Sequence, residues 1–295
     1  MRKAYPSWLK KRIPGGPELK EVELLLKDYR LNTVCQSAFC PNLGECFANK
    51  TATFLLLGNI CTRNCLFCAV SNGFATAPDP EEPGRVAAAV VSLNLNYVVL
   101  TSVTRDDLQD GGADHYSATI REIKRRKPEI IIEVLTPDFA GKLYPLGVIA
   151  QTEIKVFNHN LETVPRLYEK VRPQAVYSRS LRVLARMKEL RPDILTKSGI
   201  MVGLGEKPAE VRKVMEDLRE INCDILTIGQ YLAPSEKHLP VTEFIHPGFF
   251  NNYEVLGEKL GFKAVVAGPF VRSSYRAEVL IISAEKIGGK GNGES

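Results

Sequence analysis

Six of the seven cysteines fall between positions 35 and 68, in two triplets. Cys35, Cys40 and Cys46 stand in CQSAFCPNLGEC, and Cys61, Cys65 and Cys68 in CTRNCLFC. Three thiolates on one short loop can hold three corners of a cubic iron-sulfur cluster, whereas structural zinc and ordinary ferredoxin centres take four ligands from the protein. A triplet therefore leaves one iron unclaimed, and two triplets leave two. Zinc is the competing occupant of CTRNCLFC, but only Cys65 and Cys68 have zinc-knuckle spacing and no His lies close by. The seventh cysteine, Cys223 in INCDILTIG, reads as a small buried hydrophobe.

The chain that must position these loops has 295 residues, 25% of them charged and 44% hydrophobic, with room for one α/β barrel and its extensions or for two ordinary domains. No run reaches the roughly 18 apolar residues of a membrane helix. The start, MRKAYPSWLKKRIPGG, lacks the apolar stretch and cleavage site of a secretory signal. The expectation is a cytoplasmic protein with no membrane association, in a reducing compartment where cysteines serve metal or redox chemistry rather than disulfides. The net charge of +5 is modest. Its clearest cluster, Arg121, Lys124, Arg125, Arg126 and Lys127, fits cations at the C-terminal end of a helix. A docking patch for an acidic protein is the other reading; nucleic acid is disfavoured because no aromatic residues interleave with the charges.

Residues 1–50 read as an extension, with a Pro/Gly break at 13–17, a short helix at 18–27 and then the first Cys loop. From 51 onward apolar runs alternate with amphipathic stretches. Strands are expected at 53–58, 97–102, 130–135, 154–158, 199–202 and 225–228. Helices are expected at 85–93, 114–126, 142–150, 161–171 with 181–190, 209–221 and 247–260. Such alternation implies βαβ units and a parallel sheet, and with fewer units than a closed barrel needs, a partial (βα)6 TIM-type barrel open on one side. Working residues then sit in loops after the strands, which is where CTRNCLFC follows the first one. The expected division is an N-terminal extension over 1–50, a core over 51–262 and a C-terminal extension over 263–295, ending in a Gly-rich, charged tail read as disordered.

CTRNCLFC is a CxxxCxxC segment with Phe67 before its last cysteine, and it resembles the signature of the radical S-adenosylmethionine superfamily. The resemblance implies a 4Fe-4S cluster on Cys61, Cys65 and Cys68, its fourth iron chelated by the methionine moiety of S-adenosylmethionine. One electron then cleaves a carbon-sulfur bond and releases a 5′-deoxyadenosyl radical, chemistry that belongs to the cofactor rather than to a side chain. CQSAFCPNLGEC, of the form CxxxxCxxxxxC, would by itself suit a second electron-relay cluster or a metal staple. The two triplets together resemble the lipoyl synthase family. That resemblance continues through TSVTRDDLQDGGADHY at 101–116, EVLTPDF at 133–139, FNHNLETV at 157–164, TKSGIMVGLGE at 196–206, LTIGQYLAPSEKHLPV at 226–241 and GPFVRSSYRAE at 268–278. Gln36, Ser37, Phe39 and Arg276 stand where relatives often carry other residues, and none is a ligand position.

From that family an auxiliary 4Fe-4S cluster is carried over onto Cys35, Cys40, Cys46 and a serine of the RSSY segment, Ser274, with Ser273 as the alternative. A hard alkoxide is a poor ligand for iron that must stay in place, which suits a cluster that is taken apart. Without the family, the two serines read as a loop pair near a strand end. Contacts to S-adenosylmethionine are expected from Phe67, Thr101, Ser102, Asn158, Gly199, Gly203 and Glu206. The stretch 199–206 has the form GxxxGxxE, resembling the segment that supports the adenine, and it also fits a Gly-rich β-to-α turn. Arg105 and Asp106 follow the second strand beside Thr101 and Ser102, although Asp106 or Asp107 could instead cap a helix. Asn158, His159 and Asn160 follow the fourth strand, where they could meet ribose hydroxyls or the substrate, although a lone His such as His159 is more often structural than catalytic.

The resemblance implies insertion of two sulfur atoms, at C6 and C8 of an octanoyl chain on a lysine of a carrier protein. Unactivated C–H bonds offer neither an acidic proton nor a leaving group, so acid–base and nucleophilic side chains cannot functionalise them, whereas a primary carbon radical can. Each substrate radical attacks a sulfide of the auxiliary cluster, which is consumed, so about one turnover is expected without resupply. Implied partners are octanoylated lipoyl-carrier domains or the glycine cleavage H protein, a ferredoxin- or flavodoxin-type electron donor and an iron-sulfur cluster carrier, all met by a monomer. One competing reading is another two-cluster radical sulfur-inserting enzyme, such as a methylthiotransferase or biotin synthase relative, against which the RSSY and FNHN blocks weigh. The other is a non-enzymatic iron-sulfur carrier, which would have no use for a barrel with a cofactor-sized open iron.

Overall fold

The computed structural model describes residues 5–10, 16–48, 53–275, 277, 278, 280, 281 and 284. The expected break at 13–15, Arg276 and the tail from 285 lie outside them. The chain forms two compact units, Arg12–Phe157 and Asn158–Ser295 with the chain start, Met1–Lys11.

In the first unit α1 (Pro17–Asp28) begins on a proline, whose missing N–H is no loss at a helix start, and buries Val22 and Leu26 one turn apart. β1 (Asn32–Thr33) is followed by α2 (Val34–Ser37) and α3 (Leu43–Ala48), which carry the first Cys triplet. β1 pairs antiparallel with β2 (Thr53–Leu56). A short parallel ladder of β3 (Ile60–Cys61) and β4 (Ser71–Asn72) brackets the second triplet. After it come α4 (Glu82–Ser92), β5 (Tyr97–Ser102), α5 (Ala113–Arg126), β6 (Ile131–Leu135) and α6 (Tyr144–Ala150). β2, β5 and β6 are parallel neighbours, with Leu56 level with Ser102 and Thr101 level with Leu135. Their C-terminal ends therefore open on one edge, and their near-continuous burial is that of a parallel sheet covered on both faces.

β7 (Val156–Asn158) leads into the second unit, which holds α7 (Tyr168–Val171), α8 (Tyr177–Leu190), β8 (Leu195–Val202), α9 (Pro208–Glu220), β9 (Ile225–Gln230), α10 (Pro247–Leu260) and β10 (Ala264–Gly268). β8, β9 and β10 are parallel, with Val202 level with Gln230 and Gly229 level with Gly268. α9 buries Val211, Val214, Met215 and Leu218 at helical spacing. The chain start belongs here through Tyr5 and Trp8, whose rings pack on Phe244 and His246 at centroid distances of 5.4 and 5.1 Å.

The six expected strands correspond to β2, β5, β6, β7, β8 and β9. β8 starts earlier than expected because its first half is polar yet buried: Thr196, Lys197 and Ser198 give no apolar signal. The helix expected over 161–171 forms only as α7, since Glu162 takes left-handed backbone (φ 67), bridges to Ile200 and is soon followed by Pro165. β10 is a further parallel strand in the stretch expected as an extension; its AVVAG run is half-buried and ends in glycine.

Asp224, buried just before β9, joins three elements of the second unit. It accepts from the Thr196 N–H at 2.9 Å and from the ammonium groups of Lys188 and Lys263 at 2.7 and 2.9 Å. Burial alone would raise its pKa, but these partners outweigh burial and hold it below the ordinary carboxylate value. A carboxylate depressed in this way stabilises the fold above its unfolded pKa of about 3.9, and that contribution is lost as pH falls through the folded value. Asp224→Asn is expected to lower the melting temperature at neutral pH and to flatten its decline in acid. Thermal melts of both proteins between about pH 7 and pH 3 read both effects.

Candidate active site

Past the end of β2, Leu57 and Gly58 both take left-handed backbone (φ 67 and 86), which turns the chain into CTRNCLFC. The loop is then pinned along its length. Gly73 N–H donates to the Cys61 carbonyl at 3.0 Å, and Cys68 N–H to the Cys65 carbonyl at 3.0 Å. Thr62 donates its N–H and its hydroxyl to the Thr104 carbonyl, each at 3.0 Å. Arg63 is only 5% exposed; its Nε and Nη2 meet the Asp106 carboxylate at 2.6 and 2.9 Å, and Nη2 also donates to Asp138 Oδ1 at 2.5 Å. Burial would lower the Arg63 pKa, but the two carboxylates outweigh it and keep the guanidinium charged. One buried cation thus ties the loop after β2 to the loops after β5 and β6. The Arg63 backbone N–H also donates to the Cys61 sulfur at 3.4 Å.

Cys61, Cys65 and Cys68 are half-buried, as is Phe67. At the neighbouring end of β5, Thr101 Oγ1 is committed to the Leu135 carbonyl at 3.0 Å. Ser102 Oγ and Arg105 Nη1 are buried with no hydrogen-bond partner among the described residues, although the other Arg105 nitrogens pair with Asp107. Buried donors without acceptors are costly, so this edge fits a polar ligand rich in acceptors, such as the carboxylate end of S-adenosylmethionine. Neither Asp106 nor Asp107 caps a helix. α5 begins at Ala113, and its first turn is capped by Asp110, which accepts from the N–H groups of Gly112 and Asp114 at 3.1 and 2.9 Å.

The first triplet lies on a helix–turn–helix in the same unit. Thr33 caps α2 by accepting from Gln36 N–H, and Phe39 takes left-handed backbone (φ 50) between the two helices. Cys40 N–H donates to the Cys35 carbonyl at 3.0 Å and Cys46 N–H to the Asn42 carbonyl at 2.9 Å. Burial pushes the Cys35 thiol up to about 11, against hydrogen bonding with Thr53 at the start of β2. Iron binding must therefore displace a proton here. Cys35 sits beside the head of β2, whereas Cys61 lies beyond its other end. Among the described residues no three His, Cys, Asp or Glu side chains are grouped to hold a single metal ion. A cuboidal cluster asks each thiolate for a separate iron, so two three-thiolate loops fit that group without converging on one point.

In the second unit Asn158 is fully buried at the end of β7, and His159 is structural as expected, its Nε2 lying 3.0 Å from Ser180 Oγ. A Cβ at Gly199 would crowd Thr227 Oγ1 and Asn160 Oδ1, and one at Gly203 (φ 103) would overlap the Gln230 amide. Glu206 folds onto its own turn, accepting from the Gly203 and Leu204 N–H groups at 2.5 and 2.9 Å, and burial raises its pKa. The GxxxGxxE stretch is thus the end of β8 and the turn after it, shaped by close packing. Asn160 Nδ2 donates to Glu162 Oε1 at 3.0 Å and to Ser273 Oγ at 3.2 Å. Nearby, a Cβ at Gly229 would overlap the Val271 carbonyl, so the RSSY turn lies directly on β9. Ser273 is engaged; Ser274 is half-buried beside it.

Arg63 and Asp138 are positioning groups that motif reading passed over; the available signal was a lone arginine between two expected ligand cysteines. Cys223 is fully buried and its thiol is pushed up to about 12 by burial, in keeping with a small hydrophobe. The basic cluster lies at the foot of the strands, where Lys127 Nζ reaches Asn94 Oδ1 at 3.1 Å and Arg125 pairs with Glu122. That is the opposite strand end from the 61–68 loop, and the helix-end reading accounts for it. No helix among the described residues is long and apolar enough to cross a membrane.

Residues 55–218 match the model of the Radical SAM superfamily. A lipoyl synthase of Caldanaerobacter subterraneus subsp. tengcongensis is 58% identical over 93% of this chain and 96% of its own length. The lipoyl synthase of Thermus thermophilus is 51% identical over 95% of this chain and 87% of its own. Among solved structures, methylornithine synthase superposes with a TM-score of 0.54 at 13% identity, covering 79% of this chain and 80% of that one, a likeness of fold alone. These findings bear out the expected α/β class of the radical SAM type. With relatives this similar over nearly the whole length, the chain belongs to the lipoyl synthase family of the radical SAM superfamily, sulfurtransferases that work with S-adenosylmethionine and two 4Fe-4S clusters.

Proposed function

We propose that the two cysteine loops hold separate clusters with separate tasks in sulfur insertion. Cys61, Cys65 and Cys68 hold the cluster that binds S-adenosylmethionine; Cys35, Cys40, Cys46 and Ser274 hold the auxiliary cluster that gives up its sulfur. The observation that carries this reading is the placement of the loops beyond opposite ends of β2, a four-residue strand on the order of 13 Å long. That spacing keeps the two sets of thiolates from sharing one cluster. The hydrogen bond that occupies Ser273 supports Ser274 as the oxygen ligand.

When bound, the cofactors supply a carbon radical able to take hydrogen from C6 and C8 of the octanoyl chain, and the sulfur that replaces it. The chain's own residues position and shield. Arg63, Asp106 and Asp138 fix the 61–68 loop, while Phe67, Thr101, Ser102 and Arg105 meet the methionine end of the cofactor. Asn158 and the turn containing Gly199, Gly203 and Glu206 shape the site for its adenosine end. In these terms 1–50 and 263–295 serve the auxiliary cluster and 51–262 the radical chemistry. The substrate arrives on a lipoyl carrier protein, and octanoylated lipoyl domains and the glycine cleavage H protein are its proposed forms. A ferredoxin- or flavodoxin-type protein donates electrons, an iron-sulfur carrier restores the auxiliary cluster, and the chain works as a cytoplasmic monomer.

Anaerobic reconstitution with iron and sulfide, followed by dithionite, S-adenosylmethionine and an octanoyl-lysine peptide, tests the function. Mass spectrometry is expected to show a peptide that has gained two sulfur atoms, with 5′-deoxyadenosine released alongside. Deoxyadenosine without the two-sulfur gain would defeat the assignment to sulfur insertion.

A further inference from the structure

The turn that feeds the 61–68 loop is held from two sides by groups with no part in the chemistry above. Leu57 carries a side chain yet takes left-handed backbone (φ 67), a conformation that most residues avoid because Cβ crowds the following carbonyl. From one side its N–H donates to Glu82 Oε2 at 2.8 Å. Glu82 is 4% exposed and sits at the first position of α4. The same oxygen lies 2.6 Å from Nε2 of His115, in the first turn of α5. From the other side the buried Leu57 side chain is seated on Gly112, where a Cβ would overlap Leu57 Cδ1. A buried carboxylate persists only where it is paired and hydrogen-bonded. This one spends its bonds on His115 and on a turn that the backbone would otherwise leave.

We propose that Glu82, steadied by His115, is a positioning residue: its carboxylate locks Leu57 in the left-handed turn and so sets the direction in which Cys61 leaves β2. Arg63 holds the middle of the loop, and Glu82 holds its root. The inference rests on the assignment of Cys61, Cys65 and Cys68 as the ligands of the cluster that binds S-adenosylmethionine. Loss of the lock leaves the cluster bound but turned relative to its cofactor.

Glu82→Leu keeps the bulk and removes the acceptor, while Glu82→Gln keeps an acceptor for Leu57 N–H. In the full chain without iron, hydrogen exchange at the Leu57 amide, read by mass spectrometry of peptides across 53–60, is expected to quicken about tenfold in Glu82→Leu, the loss of one hydrogen bond. Glu82→Gln is expected to restore slow exchange. After reconstitution, Glu82→Leu should retain full iron yet show an altered electron paramagnetic resonance signal with S-adenosylmethionine and about tenfold slower deoxyadenosine release, with Glu82→Gln recovering most of both. Gly112→Ala presses on Leu57 from the opposite face and should give the same altered signal, which keeps the test usable if Glu82→Leu does not fold. Unchanged exchange and an unchanged signal in the folded variants overturn the proposal, as does a Glu82→Gln variant no better than Glu82→Leu. Failure of the ligand assignment is recognised separately, by a Cys61→Ala variant that still makes deoxyadenosine.

Discussion

Cys61→Ala is expected to abolish 5′-deoxyadenosine formation, and Cys35→Ala to leave it running while sulfur insertion falls to background. The asymmetry follows from where the two thiols sit. Cys61 is the first proposed ligand of the loop that Arg63 anchors, and its sulfur already receives a backbone N–H at 3.4 Å. Alanine there leaves a second iron of the radical-forming cluster without a protein ligand, in a loop with no spare cysteine to replace it. Cys35 lies at the other end of β2, and its loss touches neither the Arg63 ties nor the Ser102 edge. Each variant should retain roughly one four-iron cluster after anaerobic reconstitution, as counted by iron and sulfide analysis. Chromatography of deoxyadenosine and mass spectrometry of the octanoyl peptide then separate the two losses. A Cys35→Ala protein that holds one cluster but makes no deoxyadenosine would end the division of labour between the loops.

That the cysteines serve iron-sulfur chemistry was legible in the sequence because cluster chemistry constrains spacing directly: three thiolates within the eight residues 61–68 have few other uses, while the proposed division of labour between the two loops came from the family resemblance. The groups that aim those thiolates were not legible, and the reason is physical. Arg63 works through Asp106 and Asp138, 43 and 75 residues away, and Glu82 works through Leu57 and His115, so no local pattern marks either. Elements failed in the same way where tertiary contacts overrode local signal. Buried Thr196, Lys197 and Ser198 hid the start of β8, and the left-handed Glu162 cut short a stretch with helical periodicity. The GxxxGxxE stretch shows the converse, a motif whose Gly199 and Gly203 are accounted for by close packing against Asn160, Thr227 and Gln230, and whose Glu206 is accounted for by its own turn.

Ser274→Ala is expected to drop the two-sulfur product to background with deoxyadenosine still released, whereas Ser273→Ala keeps the product within about tenfold of the parent protein. The second change removes one neutral hydrogen bond, worth about 1 kcal/mol. The turn does not depend on that bond alone, because the Val271 carbonyl is seated against Gly229 and Asn160 remains fixed by Glu162. The backbone that presents residue 274 therefore stays in place when the Ser273 hydroxyl is gone. The first change removes the proposed iron ligand outright. Ser274→Cys sharpens the distinction, since a soft thiolate binds iron more firmly than a hard alkoxide. That variant is expected to hold its auxiliary iron longer against a chelator while giving up sulfur more slowly than the parent. If Ser273→Ala loses the product and Ser274→Ala keeps it, the oxygen ligand is Ser273, and the bond from Asn160 must then yield when iron binds.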